Sequence, residues 1–391
     1  MPAPRQFDVI VLGAGAAGLM CAAVAGQRGR RAAVLEHNGQ PGRKILISGG
    51  GRCNFTNLHC GPGNFISNNP HFAKSALALY QPRHFLELVE RYGIPWHEKT
   101  LGQLFCDGSA RAILDMLLAE CALGGVEIIL NAREISVERS GDGFCVSSSL
   151  GEYRSEALVV ATGGLSIPKL GATGLGYQLA AQFDLVLVEP QPALVPLVLG
   201  GEEAGWMKLA GVSAEVVAKA GNATFRDKML VTHRGVSGPA ILQASSYWWP
   251  GEALLLDFAA GRDDILEGMK QPDARRDTVA LRQALRAALP HRLADYLAEI
   301  GAPQGWSNAA LTECERRLHR WALHPLRTEG FEKAEVTAGG VDTAGLQARS
   351  LEARSVPGLF FIGEVVDVTG QLGGFNFQWA WSSGVAAGRA V

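Results

Sequence analysis

The sequence lacks paired cysteine motifs, basic runs and any strong net charge. Its seven cysteines are scattered, and none forms a C-x-x-C or C-x-x-x-x-C pair, which argues against a dithiol reductase and against the usual zinc spacings. The formal net charge is −2, so nucleic acid and anionic membranes are not expected as partners. We expect a cytoplasmic protein with a small-molecule substrate, no metal, and an oligomeric state that the sequence leaves open.

Three glycines near the start indicate a dinucleotide-binding turn. The apolar run Asp8–Leu12 leads into Gly13-Ala-Gly15-Ala-Ala-Gly18, a spacing typical of a strand, turn and helix that hold a pyrophosphate at the helix N-terminus. Glu36 ends the next apolar run, where a carboxylate accepts hydrogen bonds from ribose hydroxyls. The alternative is a signal peptide or membrane span over Val9–Gly26, which three glycines at turn spacing disfavour.

Two further segments extend this signal from a dinucleotide to a flavin. The strand candidate Ala157–Ala161 ends in Thr162-Gly163-Gly164, where glycine lets the backbone pass close to a cofactor. Later, Gly363-Glu364 leads to Asp367 and then to Gly373-Gly374, which opens a last helix. The N-terminus of that helix would stabilise a reduced flavin anion. Three segments in this order favour FAD over a simple NAD-binding domain.

The hydrophobic pattern predicts an α/β fold whose first domain is interrupted by an insertion. Strand-like and helix-like runs alternate over residues 1–170, which favours a mostly parallel sheet covered by helices. The strand candidates are Asp8–Leu12, Ala32–Leu35, Glu127–Leu130 and Ala157–Ala161, and helical periodicity covers Phe72–Tyr92 and Ser109–Leu123, with Ser109 as N-cap. The predicted domains are a first part at 1–190, an insertion at 191–335 (a β unit at 191–262, helices at 263–325 and a return strand), and a second part at 336–391.

Three long motifs give the chain a family resemblance. They are Gly42-Arg43-Lys44-Ile-Leu-Ile-Ser48-Gly49-Gly50-Gly51-Arg52-Cys53-Asn54-Phe55-Thr56-Asn57, Thr232-His233-Arg-Gly235-Val-Ser237-Gly238-Pro239, and the segment from Gly363-Glu364 to Gly373-Gly374-Phe-Asn376. With them the chain resembles, over nearly its whole length, the bacterial YhiN-type (aminoacetone-oxidase-like) FAD-binding flavoproteins. The resemblance implies a Rossmann-like FAD-binding domain of the glutathione-reductase type, with an inserted β-barrel-like unit and a helical subdomain.

The resemblance also implies that the loop around the triple glycine holds the flavin and that the acid at 364 contacts the ribityl chain. Main-chain amides of such a loop can reach phosphate or flavin, and the three basic residues supply charge, although a solvated loop is the alternative. The residues expected to bind FAD are Gly13, Gly15, Ala16, Ala17, Gly18, Glu36, His37, Arg43, Lys44, Ser48, Gly49, Gly50, Gly51, Arg52, Cys53, Asn54, Ala161, Thr162, Gly163, Gly164, Gly363, Glu364, Asp367, Gly373, Gly374, Phe375 and Asn376.

One segment departs from the family pattern. Where the relatives usually read Gly-Arg-x-Phe-Pro, this chain has Gly102-Gln103-Leu-Phe105-Cys106. The arginine and the proline are both lost. A substrate pocket shaped by this loop would therefore have an altered preference for anions, so the substrate of a relative does not transfer directly.

FAD supplies hydride chemistry, which leaves three hypotheses for the function. The first is an FAD-dependent oxidoreductase that transfers hydride between a small organic substrate, such as an amine, and non-covalent FAD. The second is an NAD(P)H-dependent flavin reductase of an activated double bond, and the third is a flavin-bound redox sensor without enzymatic activity. No motif marks a general base. His233 is the weak catalytic candidate, and a structural histidine in a turn is the alternative.

Overall fold

The computed structural model describes residues 4–391, and the chain forms two compact units. The first unit comprises Met1–Gln191 and Val336–Val391, and the second comprises Pro192–Glu335. Residues 1–3, which belong to the predicted first domain, lie outside the described residues. Among the helices of residues 4–391, none combines the length and the apolar character that crossing a bilayer requires.

Strands and helices are interspersed along both units. The strands are β1 (Arg5–Leu12), β2 (Ala32–Glu36), β3 (Asn54–Asn57), β4 (Phe65–Ile66), β5 (Trp96–Glu98), β6 (Gln103–Cys106), β7 (Glu127–Leu130), β8 (Ser136–Ser140), β9 (Gly143–Ser148), β10 (Gly151–Val160), β11 (Leu187–Ala193), β12 (Leu197–Val198), β13 (Ser213–Ala220), β14 (Ala223–Val231), β15 (Gly235–Ser237), β16 (Leu254–Asp257), β17 (Trp321–Leu323), β18 (Arg327–Thr328), β19 (Val336–Val341), β20 (Leu359–Phe361) and β21 (Thr369–Gly370). The helices are α1 (Ala16–Gln27), α2 (Arg43–Gly51), α3 (Lys74–Leu79), α4 (Pro82–Arg91), α5 (Arg111–Leu123), α6 (Leu175–Gln182), α7 (Pro239–Ser245), α8 (Glu267–Lys270), α9 (Thr278–Arg286), α10 (His291–Ile300), α11 (Asn308–Leu318) and α12 (Phe375–Ala390).

A twisted sheet in the order β7-β2-β1-β10-β9-β8 forms the centre of the first unit, and β20 also pairs with β10. Strands β7, β2, β1, β10 and β20 run parallel, whereas β8 and β9 form an antiparallel hairpin beside β10. Val9 lies opposite Ala32 on one side and Ala157 on the other. Near-continuous apolar runs suit such strands, because helices cover both faces of a parallel sheet. The four predicted strands are confirmed.

Helices α1 and α12 pack closely beside this sheet. A Cβ atom at Gly384 would lie 2.7 Å from the carbonyl oxygen of Ala17, and one at Gly388 would lie 2.6 Å from that of Cys21. Both glycines thus bring the backbone of α12 against α1 where a side chain would clash. Cys21 is completely buried in this contact, as expected for a small apolar residue of the core. This packing places the second half of α12 beside the first turns of α1.

The second unit contains a seven-stranded antiparallel sheet in the order β17-β16-β13-β14-β15-β12-β18. Strands β17 and β18 are the two edge strands of this sheet. Residues on β13 alternate between exposed and buried, which is the pattern of a sheet with one solvated face. Its own core includes Trp206, Leu256, Leu285 and Leu293, to which the sheet and the helices α9 and α10 contribute.

Two helix predictions need correction. The segment Phe72–Tyr92 contains two helices, α3 and α4, because Pro82 disfavours a helical conformation at the residue before it. The N-cap position of α5 is Ala110, not Ser109. The hydroxyl of Ser109 instead accepts a hydrogen bond from the N–H of Arg111 (3.2 Å), two residues further on, a local turn that competes with capping.

Candidate functional site

The glycine-rich turn between β1 and α1 is a compact cradle. Gly13 has φ +107°, and a Cβ there would lie 2.5 Å from the carbonyl oxygen of Ala161. At Gly18 a Cβ would meet the carbonyl oxygen of Gly13 at 2.0 Å, so this glycine allows α1 to pack on the turn. A Cβ at Gly15 would meet nothing within 4 Å, which leaves open space at the helix N-terminus where N–H groups favour an anion. The first turn of α1 is formed by Ala16, Ala17 and Gly18.

Glu36 lies at the end of β2 and reaches back to this cradle. Its Oε2 accepts a hydrogen bond from the N–H of Ala14 (2.8 Å), and its Oε1 accepts two from Asn38, from the N–H and from Nδ2 (both 2.9 Å). The side chain is 9% exposed, so the carboxylate is held in one orientation. A carboxylate has about four lone-pair directions, and one remains for a further donor. His37 lies beside it, with Nδ1 3.2 Å from Oε1 of Glu36.

The triple-glycine segment is a sharp irregularity at the end of α2. Ser48 leaves the helix with ψ 149°, and its hydroxyl donates to the carbonyl of Ile45 (2.8 Å). Gly49, Gly50 and Gly51 follow with φ of +57°, +67° and +85°, which is the left-handed region that glycine enters without strain. The first two glycines are exposed, so their amides are open to a ligand.

The residues that flank the triple glycine divide into exposed and buried positions. Arg52 is exposed, whereas Cys53 is completely buried with φ +50°. Burial raises the pKa of the Cys53 thiol to about 12, so it is protonated at neutral pH and not a nucleophile. The thiol has no exposed surface, which counts against the expected flavin contact of Cys53. The amide of Asn54, with its oxygen turned towards the start of α12, accepts from the N–H of Gly374 (3.2 Å).

A charged network joins α2 to the segment before α12. Nζ of Lys44 lies 2.7 Å from Oε2 of Glu364 and 2.7 Å from the hydroxyl of Ser166. Oε1 of Glu364 accepts from the hydroxyl of Ser166 and from the N–H of Thr337, both at 2.9 Å. Burial alone would raise the pKa of Glu364, but the Lys44 ammonium and these hydrogen bonds outweigh it and hold the pKa below the ordinary value. Glu364 is thus ionised, and most of its acceptor capacity is used within the protein.

The end of β10 packs against this network. A Cβ at Gly164 would lie 2.4 Å from the hydroxyl oxygen of Thr337 and 2.9 Å from Oε1 of Glu364, so Gly164 is required by close packing. Gly163 has φ +72° and lies near the same carboxylate. Ala161 contacts Gly13, as described above, and the hydroxyl of Thr162 is buried. The end of β10 thereby connects the cradle with the charged network.

The start of α12 is held by backbone and amide contacts. Asn376 locks the preceding turn, because Oδ1 accepts from the N–H of Gly370 (2.8 Å) and Nδ2 donates to its carbonyl (2.9 Å). Gly373 and Gly374 have φ of +119° and +94°, and Phe375 is buried as the first residue of the helix. These contacts support the double-glycine turn.

Asp367 is buried three residues after Glu364. It accepts a hydrogen bond from the N–H of Asn68 (2.8 Å), and burial raises its pKa. Arg43 also has a partner within the unit, since Nη1 donates to Oδ1 of Asn38 (2.8 Å). The predicted residues of the first unit therefore meet at the carboxyl ends of parallel strands, the edge where such sheets bind cofactors.

Several residues of the site were not predicted from the sequence. Asn38, Ser166 and Thr337 bind the two carboxylates, and Asn57 donates through Nδ2 to the carbonyl of Gly373 (2.9 Å). Only Asn57 stood within a motif. The others are small polar residues without local pattern. His233, the weak catalytic candidate, is exposed on the turn between β14 and β15 of the second unit, and its catalytic role stays a prediction.

The site fits an extended dinucleotide such as FAD. It offers the cradle, the open space beside Gly15 and the exposed amides of the triple glycine. In this arrangement the cradle would hold the pyrophosphate, Glu36 a ribose, and the double-glycine turn the flavin edge. When bound, FAD supplies hydride transfer. The residues of this chain supply binding and orientation.

Comparisons with known proteins show the family of this chain. The family model described as "HI0933-like protein Rossmann domain" matches residues 7–390. The chain is 48% identical to a "Ribosomal RNA dihydrouridine synthase" of Escherichia coli, over 98% of both chains. It is 29% identical to a "3-dehydro-bile acid delta(4,6)-reductase" of Clostridium scindens, over 97% of this chain and 98% of that protein.

Among solved structures, a 3-ketosteroid-delta4-(5alpha)-dehydrogenase from Rhodococcus jostii matches with a TM-score of 0.50 and 16% identity, over 98% of this chain and 97% of that chain. This likeness concerns the fold. The predicted fold class, a Rossmann-type FAD-binding domain within an α/β protein, is confirmed, and so is the family resemblance. The protein is a member of a family of FAD-binding oxidoreductases, and the chain belongs to the HI0933-like family.

Proposed function

We propose that this protein is an FAD-dependent reductase that saturates the C5–C6 double bond of a uridine in ribosomal RNA. The observation that carries the proposal is the 48% identity to a ribosomal RNA dihydrouridine synthase over 98% of both chains. The second relative is named as a reductase of a steroid-like substrate with delta(4,6) unsaturation. Both names describe the addition of hydrogen to carbon–carbon double bonds. This chemistry corresponds to the second of the three hypotheses, and no observation favours amine oxidation.

The reaction balances with one hydride and one proton. The C5–C6 bond of uracil is conjugated with the C4 carbonyl, so hydride adds at C6 and the resulting enolate takes a proton at C5. FAD would supply the hydride when it is bound and reduced, and a reduced nicotinamide is the class of donor that would reduce it again. The cradle and Glu36 would hold the dinucleotide for this chemistry.

An RNA substrate departs from the expectation of no nucleic-acid partner, which rested on net charge. A net charge of −2 does not describe how charges are distributed along the chain. Residues 52–111 carry six lysines and arginines against four acids. Basic residues therefore outnumber acidic ones in this segment, which follows the triple glycine. Contact between this segment and the phosphates of RNA is part of the proposal.

The proposal is tested by a reduction assay with RNA. Purified protein loaded with FAD is reduced with dithionite without oxygen and mixed with ribosomal RNA transcribed without modifications. We expect the flavin to be reoxidised and dihydrouridine to appear in digested RNA, detected by mass spectrometry as uridine with two added hydrogens. A matched RNA in which the reduced uridine is replaced by cytidine serves as the control.

A second arm uses NADH and NADPH in place of dithionite, which identifies the electron donor by bleaching of the flavin absorbance. Reduced protein that forms no dihydrouridine in any ribosomal RNA would contradict the proposal. Oxygen consumption by the oxidised protein with small amines in aerated buffer would instead favour the amine-oxidation hypothesis.

A further inference from the structure

An exposed leucine projects from the tip of a hairpin in the first unit. The hairpin consists of β5, the turn Lys99–Gly102 and β6, and it is called the Leu101 hairpin below. The Leu101 side chain is at the tip and is 72% exposed. Leu58, which is 43% exposed, lies beside it, because its N–H donates to the carbonyl of Gly102 (2.8 Å). Exposed large apolar residues that adjoin one another mark a binding surface more often than isolated ones do.

The backbone of Leu101 is in an unfavourable conformation. Its φ is +52°, a left-handed region in which a leucine is rare and strained. The turn is held by several hydrogen bonds: the carbonyl of Leu101 accepts from Nδ2 of Asn57 (3.1 Å), and the N–H of Gly102 donates to Oε1 of Glu98 (3.0 Å). Strain that is fixed by surrounding contacts is a feature of functional sites.

The hairpin is tied to the proposed flavin site through one amide. Nδ2 of Asn57, which binds the carbonyl of Leu101, also donates to the carbonyl of Gly373 (2.9 Å). The side chain of Gln103 lies 3.1 Å from where a Cβ of Gly373 would be. Leu101 is therefore rigidly placed relative to the double-glycine turn that opens α12.

The tip carries one cationic side chain. Lys99 begins the turn and is exposed, and the ring of His59 lies beside Gly102. Arg52 lies at the base of the hairpin, where its carbonyl accepts from the N–H of Cys106 (3.0 Å). Glu98 is the acid at the turn, and its Oε1 is used by the N–H of Gly102. At the base of the hairpin, Asp107 is paired with His97 (2.6 Å). An apolar tip beside an exposed lysine suits a polyanion with stacked bases.

We propose that Leu101 is a wedge that enters the base stack of the substrate RNA and fills the gap left by the extruded uridine. The inference rests on the proposed function. An enzyme that acts on C5 and C6 of a stacked base has to take the base out of the helix, and other proteins insert apolar side chains between base steps to stabilise such distortion. The strained, fixed turn keeps the leucine extended before RNA binds, which removes an ordering cost.

The experiment compares structured and unstructured substrates. Leu101→Asn removes the apolar group while it keeps a residue that tolerates positive φ, and Leu101→Met retains an apolar side chain. Leu123→Asn is the matched control, because Leu123 is 74% exposed at the end of α5. Each FAD-loaded variant is reduced with dithionite and given either folded ribosomal RNA or a short unstructured oligonucleotide with the same uridine. A 2-aminopurine beside that uridine reports unstacking.

We expect Leu101→Asn to reduce the uridine of folded RNA at least about tenfold more slowly than wild type does. Its 2-aminopurine signal should also be weaker than that of wild type. The same variant should reduce the unstructured oligonucleotide within about twofold of wild type, since no gap has to be filled. Leu101→Met and Leu123→Asn should behave as wild type, and all variants should bind FAD equally.

Four results would overturn the inference. Equal loss on both RNAs would make Leu101 a general binding residue, and unchanged rates on folded RNA would remove the wedge altogether. A change in sedimentation mass for Leu101→Asn would assign the tip to contact with a second copy. If wild-type protein reduces neither RNA, the proposed function fails first and the wedge with it. Reduction by wild type with no effect at Leu101 removes the wedge alone.

Discussion

Replacing Glu364 by glutamine is expected to destabilise the first unit by about 2 kcal/mol. Removing one partner of a buried ion pair costs roughly 3–5 kcal/mol when both charges are fully buried. Here Glu364 is 19% exposed but Lys44 is 33% exposed, so water screens part of the uncompensated ammonium. The hydroxyl of Ser166 and the N–H of Thr337 also lose a charged acceptor. Hydrogen exchange of β20 and the start of α12 measures the loss within the first unit.

The pair is tested as a unit by a double-mutant cycle with Lys44→Met and Glu364→Gln. If the two side chains stabilise each other, the double variant will be more stable than the sum of the single losses predicts, by at least about 1 kcal/mol. Additive losses would show that the ion pair between Lys44 and Glu364 contributes nothing measurable to the free energy of unfolding. The exposed pair Arg226 and Glu215 serves as a comparison, for which a coupling below about 1 kcal/mol is expected.

Acid should remove the contribution of Glu364. The pKa of Glu364 in the folded protein lies below its ordinary value, so its stabilisation is complete above the unfolded pKa and is lost as the pH falls through the folded pKa. With an ordinary glutamate pKa of about 4.3, the loss begins near pH 5 and grows below pH 4. Wild type and Glu364→Gln should therefore converge in stability on acidification. A constant difference down to pH 3 would contradict this assignment.

The network around Glu364 also shows why part of the site could not be predicted. Glycines at turn spacing, an acid at the end of a strand and apolar runs are local patterns, and they indicated the Rossmann fold and the glycine cradle. The contact of Lys44 with Glu364 spans 320 positions, and Ser166 and Thr337 have no pattern of their own. Only the parallel sheet, with α2 and α12 at one edge, brings them together.

The helical errors have a similar physical origin. Apolar periodicity continued through Pro82, so the pattern predicted one helix where the backbone restriction before proline makes two. Cys53 stood in a motif with exposed glycines, yet its side chain is completely buried. A motif fixes which residues share a loop. It does not fix which of their side chains point to the ligand.

The substitution Glu36→Ala is expected to weaken FAD binding about 100-fold. A ribose diol would donate to the carboxylate, and hydrogen bonds to a charged group contribute roughly 1.5–3 kcal/mol each. Loss of about 3 kcal/mol corresponds to two powers of ten in Kd. The substitution also removes the acceptor of the Ala14 N–H, which loosens the cradle. Fluorescence titration of the apoprotein with FAD measures the change.

Two variants separate the ribose contact from the support of the cradle. Glu36→Gln can still accept from the N–H of Ala14 but carries no charge, so we expect an intermediate loss of about tenfold, about half of the binding energy lost in Glu36→Ala. Glu138→Ala removes an exposed carboxylate from β8 and should leave the affinity unchanged. If Glu36→Ala bound FAD as tightly as wild type, the adenosine half of the cofactor would have to lie away from β2. The glycine turn would then be a packing device of the fold alone.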